Sequence, residues 1–140
     1  MRTVVAAVME RADRRILIGQ RRRRDTSALK WEFPGGKVQN GESLEQALAR
    51  ELREELGITM TRSREIAIVR HQYANYPEEL EIHFFAAEYA EGDVTPRVFE
   101  QVVWALPKEL AGYDFLPANR QLVAHLATGK IKPSEVLEGA

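Results

Sequence analysis

Within "RELREEL", residues 50–56, three carboxylates recur at helical spacing: Glu51, Glu54 and Glu55. At about 100° per residue they fall within an arc of roughly 100°. That arc overlaps one margin of the apolar stripe formed by Leu44, Ala47, Leu48, Leu52 and Leu56. Like charges three and four residues apart repel, and carboxylates drawn partly out of water are costly without a compensating cation. A divalent metal would supply one. Carboxylate and backbone oxygens are hard ligands, the chain has no cysteine and its histidines are not clustered, so the expected ion is Mg²⁺ or Mn²⁺ and not Zn²⁺. The competing reading is a solvated helix face on which Arg50 and Arg53 pair with neighbouring glutamates.

Either reading needs a helix over residues 44–56, and its ends are marked. Ser43 is a plausible N-cap and forms a capping box with Gln46; Gly57 stops the helix. Asn40 and Gly41 form a turn just ahead of it. Gly35 and Gly36 break the short extended segment "WEF", which ends at Pro34, and they let the chain turn sharply and bring backbone close to whatever the acids hold. "TVVAAVME" and "RILIGQ" read as strands joined by a hairpin-like turn at "RADR". "EIAIVRHQY", "LEIHFFAAEY" and "VFEQVVWAL" are rich in β-branched and aromatic residues and read as three more. Leu122, Val123 and Leu126 mark a closing amphipathic helix that starts near Asn119. This order predicts an α/β (α+β) chain with a mixed β-sheet sandwiched between helices.

The chain has 140 residues, the size of a single domain, with "GKIKPSEVLEGA" (129–140) read as a mobile tail. Hydrophobic residues make up 44% and charged residues 29%, the balance of a soluble globular protein. Twenty basic residues against 21 acidic ones leave a formal net charge of −1, so no nucleic-acid duplex is expected as a partner, and phosphate binding must be local. No obligate protein partner is evident. With no cysteine, disulfides and thiolate catalysis are excluded. The apolar run Val4 to Val8 is much shorter than a secretory segment or a membrane span, so the expected location is cytoplasmic.

The acidic helix does not stand alone. Gly36, Glu42, Arg50, Glu51, Leu52, Glu54, Glu55, Gly57 and Ile58 satisfy the pattern G-x5-E-x7-R-E-U-x-E-E-x-G-U, with U a bulky aliphatic residue. By ordinary residue frequencies such a match arises at a given start on the order of once in 10⁹. In this the chain resembles the Nudix hydrolases, and "WEFPGGK" and "FLPAN" resemble the MutT-type branch, with the similarity running from about Val4 to Leu126. The resemblance implies the Nudix fold, an α/β/α sandwich. It also implies a Mg²⁺-dependent enzyme that cleaves nucleoside triphosphates, sanitising the nucleotide pool of oxidised forms such as 8-oxo-dGTP.

The resemblance also assigns roles. Glu51, Glu54 and Glu55 match metal ligands, with the carbonyl of Gly35 as a further oxygen, and either Glu51 or Glu54 could accept the proton of the attacking water. Arg50 and Glu42 match positions that support the catalytic carboxylates. Glu100, ahead of Trp104, is either an additional metal ligand or an exposed strand residue. In the run Arg21 to Arg24, Arg21 lines up with a substrate-contacting arginine, whereas the run as a whole reads equally as a solvated surface. Asn119 is either the N-cap of the last helix or the reader of the purine edge, its amide donating to O6 and accepting from the N7 hydrogen that 8-oxoguanine has and guanine lacks. Phe33 packs on the base or in the core, and Tyr76 and Pro77 could rim the pocket. Glu78 and Glu79 depart from the branch, standing where an arginine near the nucleotide is expected. Two alternatives follow: an enzyme of the same architecture acting on CTP or modified cytidine triphosphates, and a non-catalytic nucleotide-sensing module.

Overall fold

The computed structural model describes residues 1–74, 76–90 and 92–139. Its strands are β1 (Arg2–Val8), β2 (Ile16–Gln20), β3 (Trp31–Glu32), β4 (Gly35–Lys37), β5 (Met60–His71), β6 (Leu80–Tyr89) and β7 (Gln101–Ala105). The helices are α1 (Leu44–Leu56), α2 (Arg120–Ala127) and α3 (Pro133–Glu138). Alternation along β1 explains the layering. Val5, Ala7 and Met9 pack with Leu48, Leu52 and Leu56 of α1, while Ala6 and Val8 pack with Leu122, Val123 and Leu126 of α2. A strand with apolar side chains at both odd and even positions must be covered on both faces, and the helices cover it.

The four-stranded sheet runs β4-β1-β6-β5, with β1 and β6 parallel and the other pairs antiparallel. It is the expected mixed sheet between helices. A second, antiparallel sheet, β3-β2-β7, stands beside it. The turn at "RADR" forms, closed by Arg11 N–H to the Arg15 carbonyl (2.8 Å), but the hairpin goes no further than the Glu10–Ile16 bridge and a bond from Leu17 N–H to the Met9 carbonyl. Both edges of β1 are already taken by β4 and β6, so β2 pairs with β3 and β7 instead.

Helix α1 forms as its sequence requires. Ser43 Oγ accepts from Gln46 N–H (3.1 Å) and Gln46 Oε1 accepts from Ser43 N–H (2.8 Å), which satisfies two orphan donors reciprocally. Gly57 closes the other end at φ 68°, a left-handed conformation that costs glycine little. The glycine pair behaves differently from the expected sharp turn: Gly35 and Gly36 lie within β4, opposite Ala6 and Val5 of β1. Close approach is the reason for glycine here. A Cβ on Gly35 would collide with the Val5 carbonyl oxygen, and one on Gly36 with the Glu51 carboxylate. The reversal comes later, at Gly41 (φ 85°).

The stretch read as a mobile tail contains α3, which packs against β5 and β6; Pro133 is buried and Ser134 N–H reaches Glu10 Oε1 at 3.3 Å. Ala140, the end of that stretch, lies outside the described residues. Among the described residues no helix is long and apolar enough to cross a membrane.

Because nothing flexible can yield at the Val5 backbone, Gly35→Ala is expected to lower stability by about 1–3 kcal/mol, the usual cost of overpacking, as read by urea unfolding.

Candidate active site

Arg50 ties the acidic helix to what precedes it. Its Nε and Nη2 donate to the two oxygens of Glu42 (2.6 and 2.9 Å), Nη2 also donates to the Lys37 carbonyl of β4 (3.0 Å), and Nη1 donates to Glu51 (3.0 Å) and Glu54 (3.3 Å). One planar fork thus holds strand, turn and helix in register. Arg50 beside it keeps the Glu42 carboxyl below the usual carboxylate range. The pairing expected of a solvated face is therefore present for Arg50, but the face is solvated only on one side: the Glu51 side chain is 14% exposed, against 58% for Glu54. Arg53 makes no ion pair among the described residues; its carbonyl accepts from Arg97 Nη1 (3.2 Å).

Glu55 has no arginine. Its Oε1 accepts from Gly35 N–H (3.0 Å), and burial, then the charges of Glu32 and Glu51, push its pKa up to about 8. Burial also raises Glu51 despite Arg50, and Glu32 despite Arg21, whose Nη1 lies 3.2 Å from Glu32 Oε1. So carboxylates from α1 and β3 share a poorly solvated region with fewer cations than acids. An all-oxygen donor set short of positive charge fits a hard divalent cation. Among the described residues the carboxylates do not already meet at one point: Arg50 draws Glu51 and Glu54, while Glu55 bonds Gly35.

Beside this cluster opens a cavity of about 780 Å³, lined among others by Glu32, Gly35, Gly36 and Glu55 and by Phe33, Tyr73 and Asn119. Asn119 is 6% exposed and makes no capping bond. A 3-10 turn, Pro117–Asn119, leads straight into α2, so Asn119 is already helical (φ −93°, ψ −14°) and its amide is not spent on a cap. Phe33 takes the core place. It is a core ring stacked on Phe115 (5.4 Å) and edge-on to Phe84 (6.2 Å), and it reaches the cavity wall.

Arg21 lines the cavity but is engaged, with Glu32 and with the Thr26 carbonyl (2.8 Å). Its neighbours differ: Arg22 holds the Arg97 carbonyl (2.7 Å), and Arg23 and Arg24 are exposed. Tyr76 lines the cavity with Lys37 Nζ 5.1 Å above its ring, whereas Pro77 does not line it, and Glu78 pairs with the N-terminal amine (3.4 Å). Glu100 is exposed and lines neither this cavity nor the smaller one of about 290 Å³ between Glu32, Glu55 and Phe99. Glu32, Lys37 and Tyr73 carry polar groups at the site that residue spacing does not single out. The available signal for Glu32 is an acid between two aromatics, Trp31 and Phe33, whose burial turns it to the other face.

Two outcomes are expected. Between 4.5, its ordinary value, and about 8, Glu55 carries a proton in the folded metal-free protein that the unfolded chain has lost. Stability therefore falls as pH rises through that window; thermal melts should show this decline in wild type and its reduction in Glu55→Gln. Lysine cannot span Glu42, Glu51 and Glu54 at once, so Arg50→Lys should lower kcat/KM by about 10–100-fold with the fold retained by circular dichroism.

Comparison with known proteins agrees with this geometry. The NUDIX domain model matches residues 1–127. The chain is 38% identical over 133 residues to a CTP pyrophosphohydrolase of Escherichia coli (strain K12), covering 94% of this chain and 96% of that one. It is 31% identical over 124 residues to an 8-oxo-dGTP diphosphatase of the same organism, covering 88% and 94%. Its fold superposes on the solution structure of the E. coli ORF135 protein with a TM-score of 0.79 at 35% identity, covering 93% of this chain and 91% of that one. With an intact box and relatives named for pyrophosphohydrolase activity, the sensing-module reading has no support, and the chain belongs to the Nudix hydrolase family as an enzyme of the MutT-type, nucleoside triphosphate pyrophosphohydrolase branch.

Proposed function

We propose that this enzyme uses Mg²⁺, for which Mn²⁺ can substitute, to convert an oxidised purine nucleoside triphosphate such as 8-oxo-dGTP to the monophosphate and pyrophosphate. It would thereby sanitise the nucleotide pool of the cytoplasm. The observation that carries the reading is one cavity whose lining includes Glu32 and Glu55, the two most deeply buried acids of the cation-deficient cluster, together with Asn119, whose amide makes no capping bond; Glu51 and Glu54 stand outside that lining. That arrangement suits a ligand with a charged phosphate chain and an edge rich in hydrogen-bonding groups.

Nudix hydrolases generally use divalent metal ions. The residues that would hold them are Glu51, Glu54 and Glu55, with the Gly35 carbonyl as a further oxygen donor; Glu100, exposed and lining neither cavity, has no such support. When bound, such ions neutralise phosphate oxygens and make water a better nucleophile. The chain's own groups do the rest. Glu51 or Glu54 accepts the proton of the water that attacks phosphorus as the P–O bond to pyrophosphate breaks. Arg50, gripped by Glu42, keeps both carboxylates oriented. The bare backbone of Gly35 and Gly36 admits the phosphates to the cavity wall, where Lys37 and Arg21 add positive charge. Phe33 supports the base, and Asn119 donates to O6 and accepts from N7–H.

A second reading has its own support. The CTP pyrophosphohydrolase relative is 38% identical and the 8-oxo-dGTP diphosphatase 31%, and Glu78 and Glu79 stand where the purine branch would place an arginine. Pyrophosphate release from a panel of oxidised purine and cytidine triphosphates, with and without Mg²⁺, decides between them. Asn119→Ala should lower kcat/KM for 8-oxo-dGTP about tenfold, as loss of a buried hydrogen-bond partner does, and spare CTP; uniform loss would favour neither base. Glu54→Gln should lower kcat by more than about 100-fold, since changes around a metal site cost about 10–100-fold even without removing a ligand. Retained activity would remove Glu54 from the metal site.

A further inference from the structure

Tyr73 and Asn119 line the same cavity, and the Tyr73 hydroxyl is used in a one-sided way. Tyr73 Oη accepts a hydrogen bond from Ala118 N–H (3.3 Å), the residue just before Asn119. Among the described residues no acceptor takes the Tyr73 O–H. The hydroxyl proton is thus available; a phenol keeps it at neutral pH, and burial raises its pKa further. Tyr73, Glu32, Arg21 and Asn119 all line the same cavity, and the hydroxyl sits against the backbone of the residue next to Asn119. The ring is fixed by its neighbours: it packs edge-on to His71 (4.3 Å between centroids) and against the core. A hydroxyl that is half-buried and already accepts one hydrogen bond, with its proton unused, favours donating to a ligand.

We infer that Tyr73 is a specificity-determining residue: its O–H donates to a carbonyl oxygen of the bound base, so that together with Asn119 it selects bases that present a keto oxygen over those that present an amino group at that edge. An amino group would set a donor against the Tyr73 O–H and leave a half-buried polar group unpaired. The inference rests on the reading that a nucleobase occupies the Asn119 end of the cavity. It adds a second polar contact there, and a direction of preference. The same hydroxyl, through Ala118 N–H, also steadies the turn that carries Asn119, and the test must separate these roles.

The probes are two pairs of deoxynucleoside monophosphates that differ in a keto or an amino group: hypoxanthine against adenine, and uracil against cytosine. Their binding to wild type, Tyr73→Phe, Asn119→Ala and the double variant is measured by titration calorimetry. Phenylalanine keeps the ring against His71 and removes only the hydroxyl. A direct donor predicts that Tyr73→Phe weakens the keto member of at least one pair about tenfold, leaves its amino partner unchanged, and does so in the Asn119→Ala background as well. Equal weakening of all four ligands, a keto loss that vanishes once Asn119 is removed, or no change at all would overturn it. Binding does not require turnover. A protein that binds with this selectivity yet releases no pyrophosphate from any triphosphate would therefore contradict the proposed reaction and not the role of Tyr73.

Discussion

A carboxyl group without a counter-cation, held out of water, organises this molecule. Glu55 has one backbone N–H for company, from Gly35, and two other acids, Glu32 and Glu51, close enough to raise its proton affinity further. Its neighbours on α1 share a single guanidinium. A fold dominated by stability would place leucine or glutamine at such a position. The arrangement instead stores an affinity for positive charge in the lining of a cavity, which is the property a phosphate-transfer site needs.

The rest of the structure keeps that charge-poor cluster in place. Ala47, Leu48, Leu52 and Leu56 anchor α1 on the sheet with complete burial, while the capping box and Gly57 fix where the helix starts and stops. β4 is wedged between β1 and the helix so closely that neither glycine could bear a side chain: Gly35 would meet the Val5 backbone and Gly36 the Glu51 carboxylate. Arg50 closes the loop between them by holding Lys37, Glu42, Glu51 and Glu54 together. Rotating α1 by one residue would break the leucine packing and the arginine fork at once. Packing and electrostatics therefore specify the same register.

The cavity shows a related economy in its use of polar groups. Asn119 is left uncapped because a 3-10 turn hands the chain directly into α2, and the same turn is steadied from β5's side by the Tyr73 hydroxyl. Phe33 serves the core with its stacked face and the cavity with what remains.

Helix α1, its caps, its leucine stripe and the box of acids are legible in the amino-acid order, because hydrogen bonds and neighbours three and four residues apart are decided within a single segment. The strands of a doubly covered sheet are likewise visible as apolar runs. What local pattern cannot decide is pairing at a distance: that β1 and β2 part into different sheets, that Gly35 and Gly36 form a strand and not a turn, and that residues 133–138 pack as a helix. Nor can it bring Glu32 to Glu55, or Tyr73 to the turn before Asn119, since each contact joins segments whose approach is set by the packing of the whole core. The sequence by itself determined which chemistry is available and on which helix. Tertiary structure alone decided which acids lose their solvent and which polar groups remain unspent, because desolvation and long-range proximity exist only once the layers have closed.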